Sequence, residues 1–348
     1  MKSILFVELL GGLGDLVMAL PAIHALALSH PQARLTVVTF APGAELLEAD
    51  PLVWTVRRVE RGDAADPERP RRALAALLAE EHFDLVVSDA TYDAIDRLLE
   101  GAAPRAVTNL WRQPPADQRV EERFLQILAQ EGLIMPWTAG TRPRLTLTAA
   151  DRRWAARHLP GPARRALLHP HAGMPIKTWP LERFVAVGHA LQDEMGLQVV
   201  VPEGREAEAE TARELVRALG PQAILLPQGS LRQFAAAAQR SELAVGGDTG
   251  PLRLAAAAGT PVVTLLGPTW HGRYGQPPPH INLQGCPECT WRQAADFTRQ
   301  PCWYSGACPL GWWRSCLEDI GVSQVLEAIR RLLHTSPAPR AAGRDGRR

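Results

Sequence analysis

Residues 243–269 read LAVGGDTGPLRLAAAAGTPVVTLLGPT, and the order of residue types in this stretch decides the fold. A short apolar run at 243–245 ends on two glycines, the pattern of a buried strand running into a tight turn. Asp248 is expected to be the N-cap of a helix over 249–258, with Pro251 in the first turn, where its missing N–H costs nothing. Leu and Ala, strong helix formers, fill the rest of that helix apart from Arg253. Gly259 and Pro261 close it, and 261–266 predicts a second strand. Two strands joined by a helix of this length form the crossover unit of a parallel sheet.

The same rhythm extends in both directions. Upstream, strands are expected at 166–169, 197–201 and 223–226, with helices over 181–194, 206–219 and 231–240. The N-terminal part predicts strands at 3–9, 35–40, 53–59, 84–88 and 106–108, with helices over 15–28, 71–81 and 120–130. Residues 134–150 contain Pro136, Gly140 and Pro143 without a period and read as a linker. The prediction is therefore two doubly wound α/β domains, 1–150 and 151–334, followed by a disordered tail at 335–348. A last helix from near Ser323 places Val325, Leu326, Ile329, Leu332 and Leu333 on one face. In such sheets ligands bind at the carboxyl ends of strands, where the strand order reverses, so a cleft between the two domains is the expected site.

Composition narrows the function. The formal charge of +1 supplies no overall field for nucleic acid or an anionic membrane, so no nucleic-acid partner is expected. Met1–Val7 passes directly into a strand without the apolar stretch and cleavage site of a secretory signal. No run of about 18 apolar residues suggests a membrane span. A cytoplasmic location is the expectation.

Gly11-Gly12-Leu13-Gly14-Asp15 lies between the first strand and the first helix. Glycines let the backbone turn sharply there and approach a ligand at the helix N-terminus. Gly12 and Gly14 fit the first two glycines of a dinucleotide fingerprint, but Val17 occupies the third position. The second strand also lacks the acid that binds a ribose, which disfavours a dehydrogenase. Asp15 has two readings: a residue that caps the helix and complements its dipole, or a general base facing an acceptor hydroxyl.

In the second half, His169-Pro170-His171 ends a strand, and Lys177 follows on the loop before Trp179-Pro180, well placed to neutralise a phosphate. The amides of Thr249 and Gly250, with the Thr249 hydroxyl, would open their helix as an anion site, although a well-capped helix has the same spacing. Arg253 is a cation in the first turn of that helix, where it opposes the dipole. An anionic ligand would relieve the conflict.

Together these segments resemble glycosyltransferase family nine, the ADP-heptose:lipopolysaccharide heptosyltransferases and their relatives. The matches are Gly12-Leu13-Gly14-Asp15 with Leu20-Pro21-Ala22, the His169-to-Pro180 stretch, Asp248-Thr249-Gly250, and residues 255–263 with Leu266-Gly267-Pro268-Thr269. The resemblance implies a GT-B fold, two Rossmann-like domains facing a central cleft, with the acceptor in the N-terminal one and the nucleotide sugar in the C-terminal one. It implies inverting transfer that needs no cofactor, with ADP-heptose as donor and a lipid-linked glycan, the lipopolysaccharide inner core, as acceptor. Peripheral contact with the cytoplasmic face of the inner membrane goes with such an acceptor. Asp15 then resembles the catalytic base, with Gly12 and Gly14 forming the turn on the acceptor side. Lys177, Asp248, Thr249, Gly250 and Arg253 resemble donor-binding residues, and Glu208, with Glu206 as the alternative, the ribose ligand. The family usually has His where this chain has Arg253, a longer and permanently charged group.

All five cysteines fall between residues 286 and 316, an odd number in one segment, which does not read as a disulfide framework. Cys286 and Cys289 form a C-x-x-C pair. With Cys302 and Cys308 they are candidates for a structural zinc or iron site, against reduced thiols packed among Trp291, Trp303, Trp312 and Trp313. Two further functions stay open: a protein heptosyltransferase of the autotransporter-modifying type, and a non-catalytic nucleotide-sugar-binding protein. The presence of Asp15 and Lys177 disfavours the last. A nucleotide-sugar epimerase would need a Tyr-x-x-x-Lys pair, and none of Tyr92, Tyr274 and Tyr304 has lysine four residues later.

Overall fold

The computed structural model describes residues 1–294, 299–311 and 315–335, without the side chains of Glu206, Ala207 and Ser315. The expected packing partners Trp312 and Trp313, and all of the expected tail except Thr335, lie outside the described residues. Thr335 itself ends the last helix.

The chain divides into two compact units, Met1–Thr148 and Ala149–Arg348. The first carries strands β1 (Ser3–Glu8), β2 (Arg34–Phe40), β3 (Thr55–Val59), β4 (Leu85–Ser88) and β5 (Arg105–Val107). Its helices are α1 (Leu13–Ser29), α2 (Ala44–Leu47), α3 (Arg69–Glu80), α4 (Ile95–Glu100) and α5 (Val120–Gln130). The five strands pair in parallel in the order β3-β2-β1-β4-β5. β1 and β4 are buried on both faces, which is why their sequences are nearly unbroken apolar runs. Leu5, Val7, Val38, Val86, Ile95 and Leu99 pack one face of the sheet. Each such side chain withdrawn from water contributes about 1.5–3 kcal/mol before entropy is counted.

The second unit contains β6 (Arg165–His169), β7 (Gln198–Pro202), β8 (Ile224–Leu226), β9 (Leu243–Gly247), β10 (Val262–Leu266) and β11 (Ile281–Gln284). Its helices are α6 (Ala149–His158), α7 (Leu181–Asp193), α8 (Glu206–Leu219), α9 (Leu231–Ala238) and α10 (Gly250–Ala257), then the short α11 (His271–Tyr274), α12 (Pro301–Ser305) and α13 (Ser315–Glu318), and finally α14 (Val322–Thr335). The sheet is parallel, in the order β11-β10-β9-β6-β7-β8. Trp179, 1% exposed, packs edge-on against Phe184 with ring centroids 5.0 Å apart. Its indole N–H donates to the Ile320 carbonyl at 3.0 Å, so the Trp-Pro stretch ties the C-terminal segment to this core.

Besides the short helices α2, α4, α11, α12 and α13, two elements were not expected from the sequence. β11 follows three consecutive prolines, Pro277–Pro279, which hide a strand whose residues are only half-buried. α6 buries only Asp151 and Ala155, too few apolar positions to show a period. Among the described residues, no helix is long and apolar enough to cross a membrane.

Candidate functional site

In each unit the strand order reverses once, between β1 and β4 in the first and between β6 and β9 in the second. Of the residues singled out from sequence, Gly12, Gly14 and Asp15 follow β1, Lys177 follows β6 and Asp248–Arg253 follow β9, at the strand ends where such sheets leave a crevice, whereas Glu208 follows β7 and the cysteines follow β11.

In the first unit, β1 ends at Glu8 and the chain turns through Gly11, whose φ of +104° favours glycine. Gly12 is the N-cap of α1. Asp15 stands in the first turn of that helix, and its carboxylate accepts from the Gly12 N–H at 2.9 Å. A Cβ at Gly12 would collide with that carboxylate. Asp15 therefore does cap its helix. It is also half-buried rather than enclosed. Gly14 lies beside it in the first helical turn.

Two further carboxyl groups flank this turn, and neither was singled out from the sequence. Glu8 is 2% exposed and accepts from the Thr39 hydroxyl on β2 at 2.8 Å and from the Leu10 N–H at 3.2 Å. Burial, and then the neighbouring Asp15 charge, push its pKa up to about 7 against those hydrogen bonds. Asp89, 1% exposed, directly follows β4 on the other side of β1, and neither of its oxygens has a hydrogen-bond partner. Burial, then Glu8 and Asp15, hold its carboxyl well above the usual carboxylate range. A charged residue closing an otherwise apolar strand, as in Ile4-Leu5-Phe6-Val7-Glu8, was the signal available in the sequence.

In the second unit, β6 and β9 run so close that a Cβ at Gly246 would stand 2.8 Å from the His169 carbonyl oxygen. Lys177, on the loop after β6, reaches across to Asp248 at the end of β9, with Nζ 3.2 Å from Oδ2. Arg253 donates to the other carboxylate oxygen at 2.7 Å and also to the Tyr274 carbonyl. The Thr269 hydroxyl donates to Oδ2 at 2.9 Å. Burial alone would raise the Asp248 carboxyl, but Lys177, Arg253 and these hydrogen bonds outweigh it and hold it well below the usual carboxylate range.

This network corrects the expected cap. Asp248 is not the N-cap of α10, because its carboxylate is drawn onto Lys177, Arg253 and Thr269. Thr249 takes that position, extended at φ −136° and ψ 157°, and its hydroxyl accepts from the Leu252 N–H at 3.4 Å. The helix opens at Gly250, where backbone N–H groups have no intrahelical acceptor. Arg253, 6% exposed, meets the helix dipole through Asp248. Lys177 is the more accessible cation, with the Trp303 ring 4.9 Å from its Nζ.

Glu208 lies in the first turn of α8, and its carboxylate accepts from the Arg205 N–H at 3.0 Å. It closes over Gly204, whose φ is +72°. Its charge reaches His171, whose pKa burial lowers and Glu208 partly restores. His169 is wholly buried, edge-on to His171 at 5.4 Å, and burial and then His171 lower its pKa to about 3, so it is neutral.

Cys289, Cys302, Cys308 and Cys316 line one pocket with Pro268 and Arg292, and Cys286 stands just outside it. All five are free. Burial raises the pKa of Cys286, Cys302 and Cys316, the last to about 12, and neighbouring thiols add to the rise. Among the described residues, no three His, Cys, Asp or Glu side chains are arranged to hold a metal ion.

The family model of glycosyltransferase family 9 (heptosyltransferase) matches residues 105–301, more than half of the chain. Lipopolysaccharide heptosyltransferase 3 of Escherichia coli (strain K12) is 24% identical over 284 residues, which cover 74% of this chain and 80% of the relative. A glycosyltransferase family 9 structure from Veillonella parvula superposes with a TM-score of 0.77 at 20% identity, covering 96% of this chain and 98% of its own. The E. coli ADP-heptose lipopolysaccharide heptosyltransferase II structure gives 0.69 at 20% identity, with 96% and 99% covered. The chain belongs to glycosyltransferase family 9, with the GT-B fold of two parallel-sheet α/β domains.

Proposed function

We propose that this glycosyltransferase moves a heptose from ADP-heptose to a lipopolysaccharide inner-core acceptor, with inversion and without a catalytic metal. The observation that carries this reading is the charge balance at the second unit's switch point. Lys177 and Arg253 surround the single carboxylate of Asp248, leaving one positive charge beside the open start of α10. That arrangement suits the leaving diphosphate of a nucleotide sugar.

In this reading Lys177, Thr249 and Gly250 contact the diphosphate, while Asp248 and Arg253 hold Lys177 and the helix start in place. Glu208 takes the ribose hydroxyls. Asp15 removes the proton of the acceptor hydroxyl. The oxygen attacks the anomeric carbon on the face opposite the diphosphate, the bond to the diphosphate oxygen breaks, and ADP leaves with the electron pair. The acceptor is a lipid-linked glycan, reached from the cytoplasmic side of the membrane. Thermal-shift titration with nucleotide sugars tests the donor. ADP-sugars should raise the melting temperature, and stabilisation by UDP- or GDP-sugars alone would remove the heptose reading.

We further propose that the cysteine pocket takes up one structural zinc or iron by drawing its thiols together, since among the described residues no three of them stand ready to hold a metal. Its soft thiols repel one another when ionised, and a soft cation would quench that repulsion. Elemental analysis of purified protein should find about one ion per chain, lost in Cys289→Ser. Metal-free protein of normal stability would leave the thiols as packing.

A further inference from the structure

We propose that Trp303 forms a wall of the donor-sugar subsite, so that the cysteine segment helps to choose which sugar is transferred. This rests on Lys177 holding the donor diphosphate.

The strand order sets out where each part of a nucleotide sugar lies. The second sheet runs β11-β10-β9-β6-β7-β8. Glu208 follows β7, Lys177 follows β6, Asp248 follows β9, Thr269 follows β10, and Trp303 lies on α12, after β11. The carboxylate assigned to the ribose and the Trp303 ring therefore come from opposite sides of Lys177. In a nucleotide sugar the nucleoside and the transferred sugar are attached to opposite ends of the diphosphate. With the ribose on the β7 side, the sugar falls on the side of Trp303.

The ring is held in place by its own segment. The Lys177 ammonium stands over it, 4.9 Å from its centroid. Gln300, 1% exposed and the N-cap residue of α12, donates from its side-chain amide to the Pro268 carbonyl at 3.0 Å. Its side-chain oxygen accepts from the Gln293 N–H at 2.7 Å. Pro268 immediately precedes Thr269, whose hydroxyl holds Asp248. Cys302, next to Trp303, lines the cysteine pocket together with Ile176, the neighbour of Lys177. The start of α12 is thus fastened to both loops that carry the cationic site.

Trp303 is half-buried, whereas Tyr304 beside it is 74% exposed. A half-buried indole next to a phosphate-binding cation offers a flat apolar surface. A pyranose carries C–H bonds on its faces, which pack on an aromatic ring, and leaves its hydroxyls at the edge for polar groups. The ring has one other use in this geometry, to support the Lys177 ammonium. The two uses differ in their effect on a ligand that has the diphosphate but no sugar.

The test is calorimetric binding of ADP and of ADP-heptose to wild type, Trp303→Ala, Trp303→Leu and Tyr304→Ala. Trp303→Ala should weaken ADP-heptose about tenfold, the worth of one aromatic contact, and leave ADP within about twofold. Trp303→Leu, which keeps an apolar side chain in the half-buried position, should show the same split and decides the matter if the alanine variant unfolds. Tyr304→Ala should bind both ligands as wild type does. Equal losses for the two ligands would make the ring a support for Lys177 and overturn the sugar wall, as would unchanged binding of both. Wild type that binds neither ligand would overturn the ADP-heptose reading itself, and the sugar wall with it.

Discussion

The Asp248 carboxylate takes three polar contacts in almost complete burial, and the two cations it holds differ in kind. Arg253 is locked between the carboxylate and a backbone carbonyl, whereas Lys177 keeps an accessible ammonium. Their substitutions should therefore separate. Lys177→Ala should raise the donor Kd about tenfold to a hundredfold, the worth of one charged hydrogen bond, and cost less stability than Arg253→Ala because its ammonium is the more exposed of the two. Arg253→Ala leaves a buried carboxylate half-compensated and should cost about 3–5 kcal/mol in denaturant unfolding, with Asp248→Asn in the same chain recovering part of it. Equal stability losses in Lys177→Ala and Arg253→Ala would refute this division. Sequence spacing brought Lys177 and Asp248 forward as a pair of motifs, but it could not show that they touch, because 71 residues separate them. Glu8 and Asp89 escaped notice for a related reason. Each ends an apolar strand, and only the parallel pairing of β1 with β4 brings them to one place.

At the scale of elements, the start of α10 depends on Thr249. Thr249→Ala should destabilise the protein by about 1 kcal/mol, the usual worth of an N-cap hydroxyl, and weaken ADP binding as the helix start frays. Asp248→Ala should not show the cap signature if Thr249 is the cap, and hydrogen exchange at Leu252 distinguishes the two. The alternation of strand and helix was legible in the sequence wherever a buried strand met an apolar helix face, as at residues 243–266. It failed where burial is slight. β11 has no fully buried residue, and α6 presents mostly charge. The boundary that mattered for chemistry moved by one residue, from Asp248 to Thr249, because tertiary contacts claimed the better capping side chain.

For the molecule as a whole, both parallel sheets present their chemistry at the same topological position, the reversal of strand order. The acidic reversal in the first unit suits a group that must lose a proton. The cationic reversal in the second suits a group that leaves with negative charge. Family membership and the GT-B fold were both legible in the motif set, since those motifs sit at the strand ends. The most direct measurement is single-turnover transfer from labelled ADP-heptose to an inner-core lipopolysaccharide acceptor, by wild type and by Asp15→Asn. Wild type should form the glycosylated acceptor while the asparagine variant binds donor normally and loses at least a hundredfold in rate. Wild-type protein that binds ADP-heptose but glycosylates only a polypeptide acceptor, or an asparagine variant with undiminished turnover, would contradict it.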